Sequence, residues 1–187
     1  MNMKVNLRRA TPDDARALAR VHVAAWHEVY RGIVPDSALD GFTVEGRAEL
    51  FRQFLATDSE ETYVAEFKSR ILGFLTIGRC RDSDVNHGTT GEIWGMYLSP
   101  EYWHKGIGRF LCIQGESMLA SRGYTVVILW VLEANDQARR FYEAMGFRPD
   151  GATKEVQMGI SLTSVRYRKK LEVAEQLRVA DADQPRC

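Results

Sequence analysis

Gly91-Glu92-Ile93-Trp94-Gly95-Met96-Tyr97-Leu98-Ser99-Pro100-Glu101-Tyr102-Trp103-His104-Lys105-Gly106-Ile107-Gly108-Arg109 is the stretch around which the chain is organised. Its first half, Glu92 to Leu98, is apolar and aromatic and suits a buried strand. Ser99-Pro100 ends that strand, because proline cannot continue a ladder. After a loop, Lys105-Gly106-Ile107-Gly108-Arg109 leads straight into a helical pattern. Small residues and two cations therefore stand where a helix's first N–H groups lack internal partners. Such a turn is an anion site by construction.

Toward the C-terminus, the pattern predicts a helix over 106–122, closed by Gly123. Tyr124 to Leu132 is too uniformly apolar for an exposed strand and fits one buried on both faces in parallel pairing. Strand, helix and strand in that order make a right-handed crossover. Asn135 to Met145 reads as a helix with Asn135 as N-cap and Gly146 as terminator. Short strands around Phe147 and over 160–170 complete the sheet. The polar segment 172–187 is expected to be a peripheral tail beyond a domain of residues 1–171.

Toward the N-terminus, Val5, Leu7 and Arg9 alternate with Asn6 and Arg8, the period of a half-exposed strand. Thr11-Pro12-Asp13-Asp14 marks a helix start. Ala15, Leu18, His22, Ala25, Trp26 and Val29 share its packing face, with Trp26 expected in the core. Tyr30 to Pro35 breaks that helix, and a second over 44–56 is expected to bury Leu50, Phe51, Phe54 and Leu55. Thr62 to Phe67 and Ile71 to Ile77 flank Lys68-Ser69-Arg70 as an antiparallel hairpin, and 81–90 reads as a surface loop.

Composition limits the function classes. The 187 residues are 45% hydrophobic, with 25 basic and 25 acidic side chains, enough chain for a sizeable core and no net charge. Neutrality argues against a general nucleic-acid binder. No apolar run approaches the roughly 20 residues of a membrane span. The three cysteines, Cys80, Cys112 and Cys187, lack metal-ligand spacing, and His22, His27 and His87 suggest no metal. A reduced, cytoplasmic protein without a metal is expected.

The glycine turn fits neither common phosphate fingerprint. A dinucleotide-binding motif needs glycine or alanine where Leu111 stands, and the Walker pattern is absent. A second motif accompanies the turn: Asn135-x-x-Ala138-x-x-Phe141-Tyr142-x-x-x-Gly146-Phe147. Together these residues resemble the GNAT superfamily of acyl-CoA-dependent N-acetyltransferases. The likeness covers roughly 5–171 in element order and is most specific in 92–108 and 135–147. Trp103 departs from it, standing where members usually have Arg or Gln three positions before the first glycine. The backbone N–H groups remain in place.

The resemblance implies an α/β mixed sheet in the order β-α-α-β-β-β-α-β-α-β-β, with a central pair of parallel strands that splay apart. Acetyl-CoA would then be the acyl donor. Its pantetheine arm would lie between the strands against the backbone of Met96, Tyr97 and Leu98. His104, Lys105, Gly106, Ile107, Gly108 and Arg109 would hold its diphosphate. Glu92 would act as general base toward a primary amine and Tyr142 as the acid that protonates the leaving thiolate. Asn135 and Tyr142 lie two helical turns apart on one side, and Asn135 would hold the cofactor's amide chain. The loop that Tyr30 leads into, with Gly32 and Pro35, would border the acceptor site and give Tyr30 a substrate role. A small-molecule or peptide amine would attack the thioester directly in a ternary complex, and a homodimer would suit the exposed sheet edges. The alternative is an acyl-CoA-binding sensor or interaction module without turnover.

Overall fold

Runs of apolar and β-branched residues and helical repeats sort the chain into seven strands and five helices among the described residues. The computed structural model describes residues 4–57 and 61–172. In order these are β1 (Asn6–Arg9), α1 (Ala15–Tyr30), α2 (Asp36–Asp40), α3 (Val44–Leu55), β2 (Glu61–Phe67), β3 (Arg70–Arg79), β4 (Thr90–Leu98), α4 (Ile107–Ser121), β5 (Val126–Leu132), α5 (Asp136–Ala144), β6 (Arg148–Gln157) and β7 (Ser161–Lys170). The strands form one mixed sheet in the order β1-β2-β3-β4-β5-β7-β6. This is the expected α/β architecture with one short helix, α2, added. Five residues carry too little periodicity to reveal a helix in sequence. The expected tail lies, but for Glu172, outside the described residues.

Each face of the sheet has its own core. Leu75, Ile93, Leu111, Leu119, Leu129 and Phe147 pack under α4 and α5. Leu18, Ala19, Phe51, Val64 and Phe74 pack under α1 and α3. Each fully buried leucine here contributes on the order of 2 kcal/mol. Close approach of α4 depends on Gly115, where a Cβ would stand 2.6 Å from Leu75 Cδ2. Leu50 departs from expectation, being 52% exposed. Thr43 caps α3 through Gly46 N–H, and this phasing turns Ala48 and Phe51 inward instead.

Two pairings shape the centre of the sheet. β5 is parallel to β4 but antiparallel to β7, so its uniformly apolar sequence reflects burial in mid-sheet more than parallel pairing on both sides. In the β3–β4 ladder Thr76 pairs with Gly95 and Ile77 with Ile93, which leaves Trp94 as the extra residue of a bulge. The parity of β4 changes there. Ile93 faces α4, yet beyond the bulge Met96 and Leu98 pack on that same side and Tyr97 on the other.

Candidate active site

β4 and β5 are hydrogen-bonded only from Thr90↔Val126 to Ile93↔Leu129. Beyond that point Gly95 to Leu98 pair with β3 alone, and Trp130 to Leu132 with β7 alone. The four paired residues of β4 are all buried, and the five splayed ones only half-buried. A cavity of about 760 Å³ opens where the strands part.

One end of the cavity is the glycine turn. His104 and Gly106 both take left-handed backbone, with φ of 58° and 81°. A Cβ on Gly106 would meet nothing within 4 Å, so glycine serves conformation there and not space. Gly106 is the N-cap of α4 and offers no side chain, and Phe110 N–H is the first to reach back, to Gly106 O at 3.0 Å. The amides of Ile107, Gly108 and Arg109 therefore precede the helix's own bonding. His104, Gly106, Gly108 and Arg109 line the cavity, as does Arg140 from α5. Ile107 turns its side chain into the core, and Lys105 lies over the Tyr102 ring, 5.1 Å from its centroid. Trp103 helps to hold the splayed strand, because its indole donates to Leu98 O at 2.8 Å and so caps the strand's last carbonyl.

α5 supplies the wall beside the turn, where Phe141 would lie 3.5 Å from a Cβ on Gly108. Asn135 caps the helix, its side-chain oxygen accepting from Ala138 N–H at 3.0 Å, while its amide NH₂ faces the Tyr30 hydroxyl and has a second N–H to offer. Tyr142 is 7% exposed and lines the cavity. Burial pushes its phenol above the ordinary tyrosine range, so it stays protonated. Phe141 and Phe147 flank its ring at 5.1 and 5.6 Å between centroids.

Tyr30 and Trp26 line the cavity from α1, their rings 4.8 Å apart and edge to face. Trp26 corrects the expectation of a purely core residue: it stacks on Phe42 at 4.1 Å and also forms part of the wall. Trp94, Trp130, Val156, Met158 and Ser164 complete this apolar end. Sequence reasoning missed them because β6 and β7, which place Val156 and Ser164, showed only as short strands. Trp94 gave a usable sign, sitting beside a glycine inside a strand.

Glu92 is placed differently from the other site candidates. It lies on β4 just before the bulge, 1% exposed and outside the lining of the cavity. The backbone N–H of Arg81 donates to it at 3.0 Å and the guanidinium grips both carboxylate oxygens. That guanidinium sits 3.8 Å from the centroid of Trp94, which does line the cavity. Cys112 is buried in α4, and desolvation pushes its thiol up, away from nucleophilic use.

The chain is similar to known proteins in sequence and in fold. The model of the Acetyltransferase (GNAT) family matches residues 24–147. An N-acetyltransferase of Bacillus subtilis, YuaI, itself uncharacterised, is 29% identical over 141 residues, 75% of this chain and 78% of its own. The spermidine N(1)-acetyltransferase of Thermoplasma acidophilum is 24% identical over 151 residues, 78% of this chain and 89% of its own. Among solved structures, the PaiA N-acetyltransferase of Thermoplasma acidophilum in complex with coenzyme A superposes with a TM-score of 0.71 at 21% identity, covering 90% of this chain and 99% of that one.

Proposed function

Because the chain belongs to the GNAT family of acetyltransferases, we propose that it moves an acetyl group from acetyl-CoA to a primary amine, both substrates bound together and the amine attacking the thioester directly. The observation that carries this reading is the parting of β4 from β5 after Ile93 and Leu129, with a turn of bare amides at one end of the gap. A strand edge paired on one side only suits the amides of a pantetheine arm, so Met96, Tyr97 and Leu98 would hold it. The amides of Ile107, Gly108 and Arg109, with the nearby His104 imidazole and the Lys105 ammonium, suit a diphosphate. Bound acetyl-CoA supplies an activated acyl carbon whose oxygen needs hydrogen-bond donors as it gains charge.

The chain's own groups then divide the proton traffic. An alkylamine of pKa about 10 is almost wholly protonated at neutral pH, and some group must take its proton. Glu92 is our candidate, reached through water past Trp94, with half-exposed Arg81 swinging off one carboxylate oxygen. Tyr142, kept neutral by burial, gives its proton to the departing sulfur. The NH₂ of Asn135 holds an acceptor group of the donor's arm. Cys112, being enclosed, forms no acyl-enzyme.

The acceptor class narrows as well. Spermidine, the substrate in the name of the Thermoplasma relative, carries several cations, and the cavity lining among the described residues includes no Asp or Glu. A monoamine with an apolar body suits Trp26, Trp94 and Trp130 better than a polycation. Calorimetry with acetyl-CoA and ATP side by side, followed by an amine panel read by thiol release, tests the proposal. Acetyl-CoA binding without thiol release from any amine would favour the sensor alternative. Acyl-protein accumulating without acceptor would overturn direct attack.

A further inference from the structure

Beside the large cavity, sharing Trp94, Gly95 and Tyr97 with it, lies a cleft of about 230 Å³ walled by His22, Arg47, Phe51, Phe74, Thr76 and Arg81. Arg47 is its unusual member. The guanidinium lies over Phe42 and Phe51, 4.7 and 5.6 Å from the ring centroids. Among the described residues no carboxylate pairs with it, and its buried Nε has no hydrogen-bond partner. The cleft's other guanidinium, Arg81, is committed to Glu92.

His22 shows what is lacking. Arg47 Nη2 stands 3.2 Å from His22 Nδ1. Arginine can only donate, so Nδ1 accepts and the proton of the neutral ring sits on Nε2. Burial and Arg47 depress His22 to about 3, so the ring is neutral. His22 Nε2 is itself buried and unpartnered. Two orphaned groups, Arg47 Nε and His22 Nε2, are thus gathered in this cleft, and both are donors. Folded proteins rarely leave such groups unsatisfied, and an uncompensated guanidinium against aromatic rings raises the cost. Water could serve one donor, whereas an oxyanion could serve several and also supply the missing charge.

We propose that this cleft binds the carboxylate of the acetyl acceptor, so that the acceptor is an amino acid or another amine bearing a single carboxylate. The proposal rests on the acetyl-transfer reading above and names its substrate class. One unpaired cation and a neutral imidazole match a monoanion better than a phosphate dianion. The shared wall at Trp94, Gly95 and Tyr97 lets one molecule place its acid group beside Arg47 and its amine in the large cavity.

The test titrates the full chain with benzoate, inorganic phosphate and benzylammonium, following the His22 ring nitrogens by NMR after ¹⁵N-histidine labelling. Benzoate should shift Nε2, and Arg47→Met should weaken its binding about 10- to 100-fold, the worth of a hydrogen bond to a charged group. Acetyl-CoA affinity, measured by calorimetry on the same variant, should not change, which also reports that the variant folds. Should Arg47→Met fail to fold, the ranking of the three probes on the unmodified chain decides. No response to benzoate, or one no stronger than to phosphate or benzylammonium, overturns the proposal. A panel of amino acids, each paired with its primary amide, supplies the second readout. The acids should exceed their amides at least tenfold in kcat/KM, and Arg47→Met should erase that preference. Amine turnover with benzoate silent refutes the carboxylate subsite alone. Benzoate binding with no turnover of any amine refutes acetyl transfer, and the acceptor assignment with it.

Discussion

Replacing Tyr142 by phenylalanine removes one oxygen from a site whose geometry makes the result readable. The ring is held edge-on between Phe141 and Phe147 and keeps those contacts in the variant. The hydroxyl makes no hydrogen bond to another described residue, so its loss orphans no partner. Stability should therefore change by less than about 1 kcal/mol. Acetyl-CoA affinity should move by less than about threefold, because the ring still forms the wall. Turnover is another matter. A positioned general acid is worth roughly 10² to 10⁴ in rate, or about 3 to 5 kcal/mol of barrier. Burial raises the phenol's pKa above its ordinary value, so the acid form persists through the assay range and no alkaline loss from this group should appear below about pH 10. Initial rates of thiol release, a melting curve and calorimetry on the same preparation separate these effects. A variant with unchanged kcat would falsify the acid assignment, and one that lost rate and fold together would return Tyr142 to the core.

Gly106→Ala adds a methyl group that touches nothing within 4 Å but forces a side chain onto φ of 81°. About 1 kcal/mol of stability should go, and calorimetry should find acetyl-CoA bound at least fivefold more weakly; an unaltered Kd would remove the turn from the site. His22 has a folded pKa of about 3 against an ordinary 6.5. The unfolded chain takes up that proton first, so stability is full above about pH 6.5 and declines as pH falls toward 3, by roughly 2 kcal/mol at pH 5. Urea unfolding at pH 7.5 and 5 should show a smaller difference in His22→Gln, and equal differences would refute the assignment. Arg166 is 7% exposed and joins Asp82, Asp84 and Asp150. Arg166→Met should cost about 2 to 4 kcal/mol, because it strands the half-buried Asp82 and Asp150. Arg166→Lys should recover little of this, since a point charge cannot fork between them; full recovery in denaturant titrations would contradict the geometry.

Features with local causes were the ones legible in the sequence. The alternation of β1, the helix start at Thr11-Pro12, the turn at Gly106 and the cap at Asn135 each depend on residues within a few positions. The Lys68-Ser69 hairpin was legible from its flanking strands, although both turn residues take positive φ without glycine. What escaped depends on residues far apart in the chain. Arg47 and His22 are 25 positions apart and meet only because α1 and α3 pack on the same face. Glu92 looked like a strand residue with a carboxylate to offer, and nothing nearby announced that Arg81 would enclose it. Trp26 fitted its helix's apolar face, and whether that face met core or cavity was decided by where β4 and β5 part.

The bulge at Trp94 ties these long-range features together. An extra residue in β4 advances that strand relative to β3, and pairing with β5 stops one residue before it. The parity change then sends Tyr97 to the α1 side, where its ring lies 4.1 Å from His22. The displaced Trp94 lines both the large cavity and the Arg47 cleft, and carries Arg81 on its face. Strand opening, the aromatic box around His22 and the hold on Glu92 thus share one local origin. A mixed sheet in strict register would seal β4 to β5 and turn Tyr97 toward α4. The same core could then form, with no gap for a donor and no wall for an acceptor.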